Sequence, residues 1–242
     1  MAMPARPEGG DYDAFAAEYA PNVAWREQGG PAGDPFGIVP ALLARLGEIR
    51  GLRVLDAGCG EGYLTRILAA AGADATGIDI SPRLIAQARA KDPGGDITYQ
   101  VADLSKPLPG PPFDVIASYL VLNDVPDYRG FAATLAGALR PGGVAVLAFN
   151  NPYGGVIHGH VTDYFDSGSV SPYRGLWASG IKVFYYHRTL EEYLDSFLAA
   201  GLRLTKLTDL RALADAHPPH ALVPDGIAFP RFMLLSFEKP AG

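Results

Sequence analysis

Cysteine is almost absent: Cys59 is the single one in 242 residues. No disulfide within the chain and no cysteine-based zinc site can therefore form. Clusters of Lys or Arg are missing too, and the formal net charge is −6. Such a chain is poorly equipped to grip a phosphate backbone or an anionic membrane surface. No apolar run approaches the roughly 20 residues of a membrane span. The first 30 residues hold no run resembling a secretory signal, and the expectation is a cytoplasmic protein. Internal repeats and low-complexity tracts are also lacking. What is plentiful is apolar residues, 48% against 19% charged. A sizeable core can form, and the length fits a single α/β domain over residues 1–242.

Hydrophobic periodicity divides the chain. Tyr12, Phe15 and Tyr19 recur at helical spacing within Asp11–Ala20, and Ile38–Ile49 has a second helical pattern. These form an expected pair of covering helices over 11–50. A regular alternation follows: strand Arg53–Ala57, helix Glu61–Ala71 stopped by Gly72, strand Asp74–Ile80, and a helix from Ser81-Pro82 to about Ala90. Strands Ile97–Ala102 and Phe113–Ser118 come next, then a helix capped by Asp127 and running to Leu139. Pro141-Gly142-Gly143 turns into strand Val144–Phe149. Strands and helices alternating at this spacing imply a parallel sheet with helices on both faces. The pattern lapses over 151–188, apart from an expected strand near Ile181–His187, and again over 210–228. Between the two lie a capping-box helix, Thr189–Ala200, and strand Arg203–Leu207; Phe232–Glu238 is an alternating final strand. Insertions of this length in compact domains often form lids or binding loops.

Asp56-Ala57-Gly58-Cys59-Gly60-Glu61-Gly62 joins a hydrophobic strand to a helix. Glycines permit a sharp turn and close approach of a ligand, and the helix start offers unpaired N–H groups. Asp79 ends the next strand, 23 positions after Asp56. An acid there can accept hydrogen bonds from both hydroxyls of a ribose. A dinucleotide site wants glycine at position 63, where this chain has Tyr63.

The turn instead matches D-x-G-x-G-x-G, and the chain resembles the class I (Rossmann-like) S-adenosylmethionine-dependent methyltransferases of the small-molecule type. Gly77-Ile78-Asp79-Ile80-Ser81 resembles the family's second motif, and Ala102-Asp103-Leu104 the third. Phe113–Ser118 resembles its fourth strand, and Leu139–Gly143 the turn before the fifth. Tyr12–Tyr19 is similar to a helix that covers the cofactor in many members. The resemblance implies a seven-stranded, mostly parallel, doubly wound sheet whose last strand runs antiparallel, with a lid-like insertion after strand five. It implies S-adenosylmethionine as cofactor, with S-adenosylhomocysteine as product, held by Tyr19, Asp56, Gly58, Cys59, Gly60, Asp79, Ile80, Asp103, Leu104 and Ser118.

The sulfonium of that cofactor makes its methyl group electrophilic, so no catalytic signature is obligatory and alignment of the acceptor can suffice. Candidate bases are Asp124, His158 and His160. Asn123 stands where the resembled family often has His. Tyr12, Asn123, Tyr164, Phe165, Trp177 and Tyr186 are candidate acceptor contacts, the aromatic insertion suiting an aromatic metabolite of secondary metabolism. His187 ends a strand in a His-Arg-Thr-Leu run common in similar proteins, which favours a structural role. Cys59 has no histidine near it in sequence, and His158-x-His160 lacks a placed third ligand, so no metal is expected. The Asn/Asp-Pro-Pro-Tyr/Phe motif of base-methylating enzymes is absent after strand four, where Ser118-Tyr119-Leu120-Val121 stands, and Asn151-Pro152-Tyr153 reads as a turn. The expected partner is a small-molecule methyl acceptor whose O, N or C is methylated, with no nucleic acid and no membrane, in a monomer or homodimer. One alternative stays open: a protein of the same fold that binds the cofactor without methylating, using it structurally or to assist another reaction such as a cyclisation.

Overall fold

A computed structural model describes residues 12–16, 33–157, 159, 161–168, 170–172, 184–211 and 229–241. Its centre is a seven-stranded sheet in the order β3-β2-β1-β4-β5-β9-β8. The strands are β1 (Arg53–Ala57), β2 (Asp74–Asp79), β3 (Thr98–Val101), β4 (Phe113–Tyr119), β5 (Leu139–Asn150), β8 (Arg203–Leu210) and β9 (Phe232–Glu238). β1 to β5 pair in parallel, whereas β9 lies antiparallel between β5 and β8. β6 (Val170–Pro172) and β7 (Phe184–Tyr186) form a separate antiparallel ribbon. The helices include α1 (Ile38–Leu46), α2 (Tyr63–Ala70), α3 (Pro82–Ala90), α4 (Tyr128–Ala138), the single turn α5 (Gly154–Ile157) and α6 (Leu190–Ala199).

Successive residues of a strand face opposite ways, and here each face has its own core. Leu55, Ile116, Leu147 and Leu235 face Phe131 and Leu135 of α4 and Phe197 of α6. Their neighbours Val54, Val115, Val146 and Leu234 face Leu42 of α1 and Leu64 and Leu68 of α2. Central strands buried on both faces are what parallel α/β sheets require. Because β1 has β2 on one side and β4 on the other, the chain reverses direction across the sheet at the end of β1. Ligands of such sheets bind at that crevice, and the glycine turn opens there.

Several boundaries move, each for a local reason. α2 begins at Tyr63 rather than Glu61 because Gly60 and Gly62 are left-handed, with φ 55° and 83°. Pro141-Gly142-Gly143 does not precede β5 but lies inside it. Gly142 is left-handed, and its amide bonds the Lys239 carbonyl, while the Lys239 amide bonds that of Gly143. β8 continues to Leu210, which pairs with Phe232, so the second insertion starts later than expected. The caps foreseen for α3, α4 and α6 are present: Ser81 accepts from the Leu84 amide, Asp127 from that of Gly130, and Thr189 and Glu192 form a capping box. Of the expected N-terminal helix, residues 12–16 are helical and the rest lies outside the described residues. No described helix is long and apolar enough to cross a membrane.

Candidate functional site

The turn between β1 and α2 is built from backbone conformations that favour glycine. Gly58, Gly60 and Gly62 have φ 81°, 55° and 83°. The Gly58 and Cys59 amides both donate to the Ile78 carbonyl, at 2.8 and 3.0 Å, fastening the turn to the end of β2. A Cβ on Gly58 would lie 2.8 Å from Val121 Cγ1 and closer still to Cγ2. One on Gly62 would lie 2.6 Å from the Tyr99 hydroxyl. Space is therefore left only for bare backbone.

Asp79 braces this turn. One carboxylate oxygen accepts from the Gly60 amide and the other from the Ser81 amide, both at 2.9 Å. Burial nevertheless raises its pKa, in spite of backbone hydrogen bonds from Ser81, Gly60 and Ile80. A carboxylate offers about four acceptor sites, so capacity remains for a hydroxyl donor. Beside it the side chains of Ile80 and Val101 are exposed at the ends of β2 and β3, an apolar lip next to an acid. Asp56 is buried at the end of β1. Its Oδ2 accepts from Thr65 Oγ1 at 2.6 Å, while Oδ1 has no partner among the described residues. Burial, added to by the charges of Asp79 and Glu61, pushes its pKa up to about 7. An orphaned acid oxygen, a backbone cradle and a braced second acid fit a ligand carrying a ribose and a positive charge.

The remaining cofactor candidates divide. Asp103 is held by Ser105, whose amide and hydroxyl donate to one oxygen at 2.9 and 2.7 Å, with Lys106 3.3 Å from the other. Slight burial raises its pKa, but these partners outweigh that and hold it below the usual range. Leu104 turns its side chain into the core. Two of the candidates have partners within the protein. Ser118 is buried, and its hydroxyl donates to the Ala57 carbonyl at 2.9 Å, tying β4 to β1. The Cys59 amide is used on Ile78, and its thiol is packed against Gly77, with burial pushing its pKa well up; nucleophilic chemistry needs the thiolate. Tyr19 lies outside the described residues.

Sequence reasoning missed two acids here. Glu61 is buried with Lys91 at 2.7 Å and Arg66 at 3.4 Å. Asp13 accepts from the Ser81 hydroxyl and the Arg83 amide at 3.0 and 2.8 Å, and Gln87 donates to the Ala16 carbonyl. That seats residues 12–16 on the start of α3, over the Asp79 corner. Nothing in the sequence links positions 13 and 81; only the fold does.

On the acceptor side three of the substrate candidates have partners inside the protein. Asn123 is buried; its oxygen accepts from the Asn150 amide at 2.9 Å and its NH2 donates to the Tyr193 hydroxyl at 3.4 Å. It therefore locks the end of β4 to the end of β5. Tyr164 accepts from the Leu190 amide at 2.8 Å, its carbonyl meets His187 Nε2 at 2.7 Å, and its ring stacks on Tyr153. It fastens the insertion to the start of α6. Tyr186 is buried with the Arg188 guanidinium over its ring. Phe165 is 80% exposed and packs edge-on to Tyr164, and Tyr12 meets Phe15 edge to face. Asp124 lies in the 3₁₀ turn Leu122–Asp124, where its charge adds to burial in raising the Tyr185 and Tyr193 phenols. Asn151 to Gly154 form the expected turn, the Gly154 amide donating to the Asn151 carbonyl. His158, His160 and Trp177 lie outside the described residues. Among the described residues no group of three His, Cys, Asp or Glu is placed to hold a metal ion.

Known proteins share this region and this fold. A methyltransferase domain profile matches residues 55–147, from within β1 to within β5. A crystal structure of an S-adenosylmethionine-dependent methyltransferase from Mesorhizobium loti superposes with a TM-score of 0.65 and 29% identity, covering 87% of this chain and 99% of the other. The chain is similar to S-adenosylmethionine-dependent methyltransferases in its fold, and its residues 55–147 match a methyltransferase domain. A demethylmenaquinone methyltransferase of Tropheryma whipplei (strain Twist) is 39% identical over 114 residues, 46% of this chain and 48% of that one. A ubiquinone biosynthesis O-methyltransferase of Xanthomonas euvesicatoria pv. vesicatoria (strain 85-10) is 34% identical over 135 residues, 52% and 56% of the two chains. The chain thus spans about half the length of the curated relatives it matches.

Proposed function

We propose that this chain binds S-adenosylmethionine at the Gly58–Gly62 turn and transfers its methyl group to a small molecule. The observation that carries this is the turn itself: three left-handed glycines, walled by Val121 and braced through Gly60 by Asp79, beside the orphaned Asp56 oxygen. In this reading Asp79 receives the ribose hydroxyls, Ile80 and Val101 border the adenine, and Asp56 faces the positively charged methionine end. Bound there, the cofactor supplies an electrophilic methyl group. The protein supplies alignment, worth about 7–11 kcal/mol when good. The relatives named for ubiquinone and menaquinone methylation support a small-molecule acceptor, and the exposed Phe165 and Tyr153, each packed on the Tyr164 ring, support one with an aromatic face. We place the enzyme in the cytoplasm and treat residues 1–242 as one domain.

The test uses the purified chain. S-adenosylhomocysteine should raise its melting temperature and NADH should not. Radiolabelled S-adenosylmethionine, incubated with a low-molecular-mass metabolite extract, should deliver label to an extractable product. Stabilisation without label transfer would support a binder that does not methylate, and no stabilisation would refute the proposal.

A further inference from the structure

Leu120, just past β4, has φ 60°, and among the described residues no other residue apart from glycine has a positive φ. A leucine is disfavoured there, because its Cβ crowds the following carbonyl. Strain of this kind persists only where the surroundings over-determine it, and it gathers at functional sites. Here the restraints are explicit. The Leu120 amide donates to the Ala148 carbonyl at 2.8 Å, and the Asn123 side chain accepts from the Asn150 amide at 2.9 Å. Residues 120–123 are thus tied at both ends to β5, and the Asp124 amide closes the 3₁₀ turn on the Val121 carbonyl.

This strained residue has a consequence for its neighbour. Along β4 the side chains alternate, Val115, Ala117 and Tyr119 packing towards α1 and α2 and Ile116 towards α4 and α6. Continued alternation would send Leu120 to the α4 side and Val121 to the α1 side. The reverse is found: Leu120 joins the α1–α2 core and Val121 the α4–α6 core. The left-handed residue exchanges the two faces. It thereby brings Val121 over the glycine turn, where a Cβ on Gly58 would lie 2.8 Å from Cγ1. β4 pairs with β1 as far as Asp56, so this wall stands beside the strand end that carries the Asp56 carboxylate.

We propose that Leu120 is a positioning residue for the methionine end of the cofactor, its left-handed backbone setting the wall that Val121 presents to the glycine turn. The inference rests on the cofactor-binding reading above. The Leu120 side chain packs in the opposite core, so position 120 requires a backbone conformation rather than a leucine. The ligand binds the form in which the wall is in place. A substitution that disfavours φ 60° lowers the share of protein in that form and weakens the apparent affinity by the same factor. The nucleoside end is assigned to Asp79 and the Ile80–Val101 lip, which lie across β1 from β4. That end should not respond.

Two substitutions separate backbone from side chain. Leu120→Ile keeps the size and apolarity of leucine but is β-branched and tolerates positive φ poorly, whereas Leu120→Gly has no side chain and adopts it freely. Calorimetry on the full chain uses S-adenosylhomocysteine and, as a ligand without the amino-acid end, methylthioadenosine. Leu120→Ile should bind S-adenosylhomocysteine at least about threefold more weakly than wild type, and Leu120→Gly within about twofold of it. Methylthioadenosine should bind all three proteins alike, a split that general loosening of the fold would not produce. Glycine binding more weakly than isoleucine would show that the side chain acts, and would overturn the proposal. Leu120→Ile within about threefold of wild type, or equal losses for both ligands, would overturn it too. If Leu120→Ile does not fold, Leu120→Asn and Leu120→Ala decide. Both lack the leucine side chain and only asparagine visits this region readily, so Leu120→Asn should bind S-adenosylhomocysteine more tightly; equal affinity overturns the proposal. If wild type binds neither ligand, the cofactor-binding reading itself fails, and this proposal with it.

Discussion

Gly58→Ala should be among the more damaging single-methyl additions to this protein, and its cost can be taken apart. The position has φ 81°, and a residue with a Cβ pays about 1–2 kcal/mol in that region. The added carbon would also press on both methyls of Val121, 2.8 Å from the farther one. Overpacking of this kind costs about 1–3 kcal/mol. The sum is about 2–5 kcal/mol, or roughly 4–20 °C in melting temperature for a chain of this size. Val121→Ala alone should cost about 1 kcal/mol. Combined, the two changes should be less harmful than their sum by about 1–3 kcal/mol, because removing the Val121 methyls relieves the overlap but not the backbone strain. Urea unfolding of the four proteins measures this coupling. Additivity within about 0.5 kcal/mol would show that Val121 does not wall the turn.

Three further outcomes follow from the same site. Asp79→Ala removes the acceptor of the Gly60 and Ser81 amides together with the proposed ribose contacts. Calorimetry should show S-adenosylhomocysteine binding at least about tenfold weaker, and unchanged affinity would remove Asp79 from the site. Asp56 has a folded pKa raised to about 7, so it takes up a proton on folding between that pH and its unfolded value of about 4. Its contribution to stability is full below about pH 4 and declines as pH rises towards 7. Asp56→Asn should flatten that part of the stability profile. It should also abolish a rise in S-adenosylmethionine affinity between about pH 6 and 8, which wild type should show as the carboxylate ionises; a pH-independent wild type would count against Asp56 facing the cation. Tyr164→Phe deprives the Leu190 amide of its acceptor and should cost about 1 kcal/mol in urea unfolding, whereas an unchanged midpoint would refute the fastening role.

The cofactor half was legible because its signals are local. Hydrophobic runs of strand length, caps such as Ser81-Pro82 and Thr189–Glu192, and glycines at turn spacing each act within a few residues of chain. β1, α3 and β9 therefore lie within a residue of where their patterns place them. The Asp56 and Asp79 carboxylates were expected beside the glycine turn because each ends a strand on either side of it, and parallel neighbours in register bring those ends together.

The acceptor side was not legible in the same way. Asn123, Tyr164 and Tyr186 have the chemistry of ligand contacts, yet each is used inside the protein, on Asn150, Leu190 and Arg188. Residues 13 and 81, or 58 and 121, meet only because the sheet stacks their elements, and no periodicity records such a meeting. The sequence by itself determined the alternating α/β architecture and the nucleoside-binding turn, since short-range propensity and spacing dictate both. Tertiary structure alone decided which polar groups are consumed by packing and which, like Asp56 Oδ1, are left with a lone pair to offer. Satisfaction of a hydrogen bond depends on distances across the fold, and those are set by the packed sheet rather than by any neighbour in the chain.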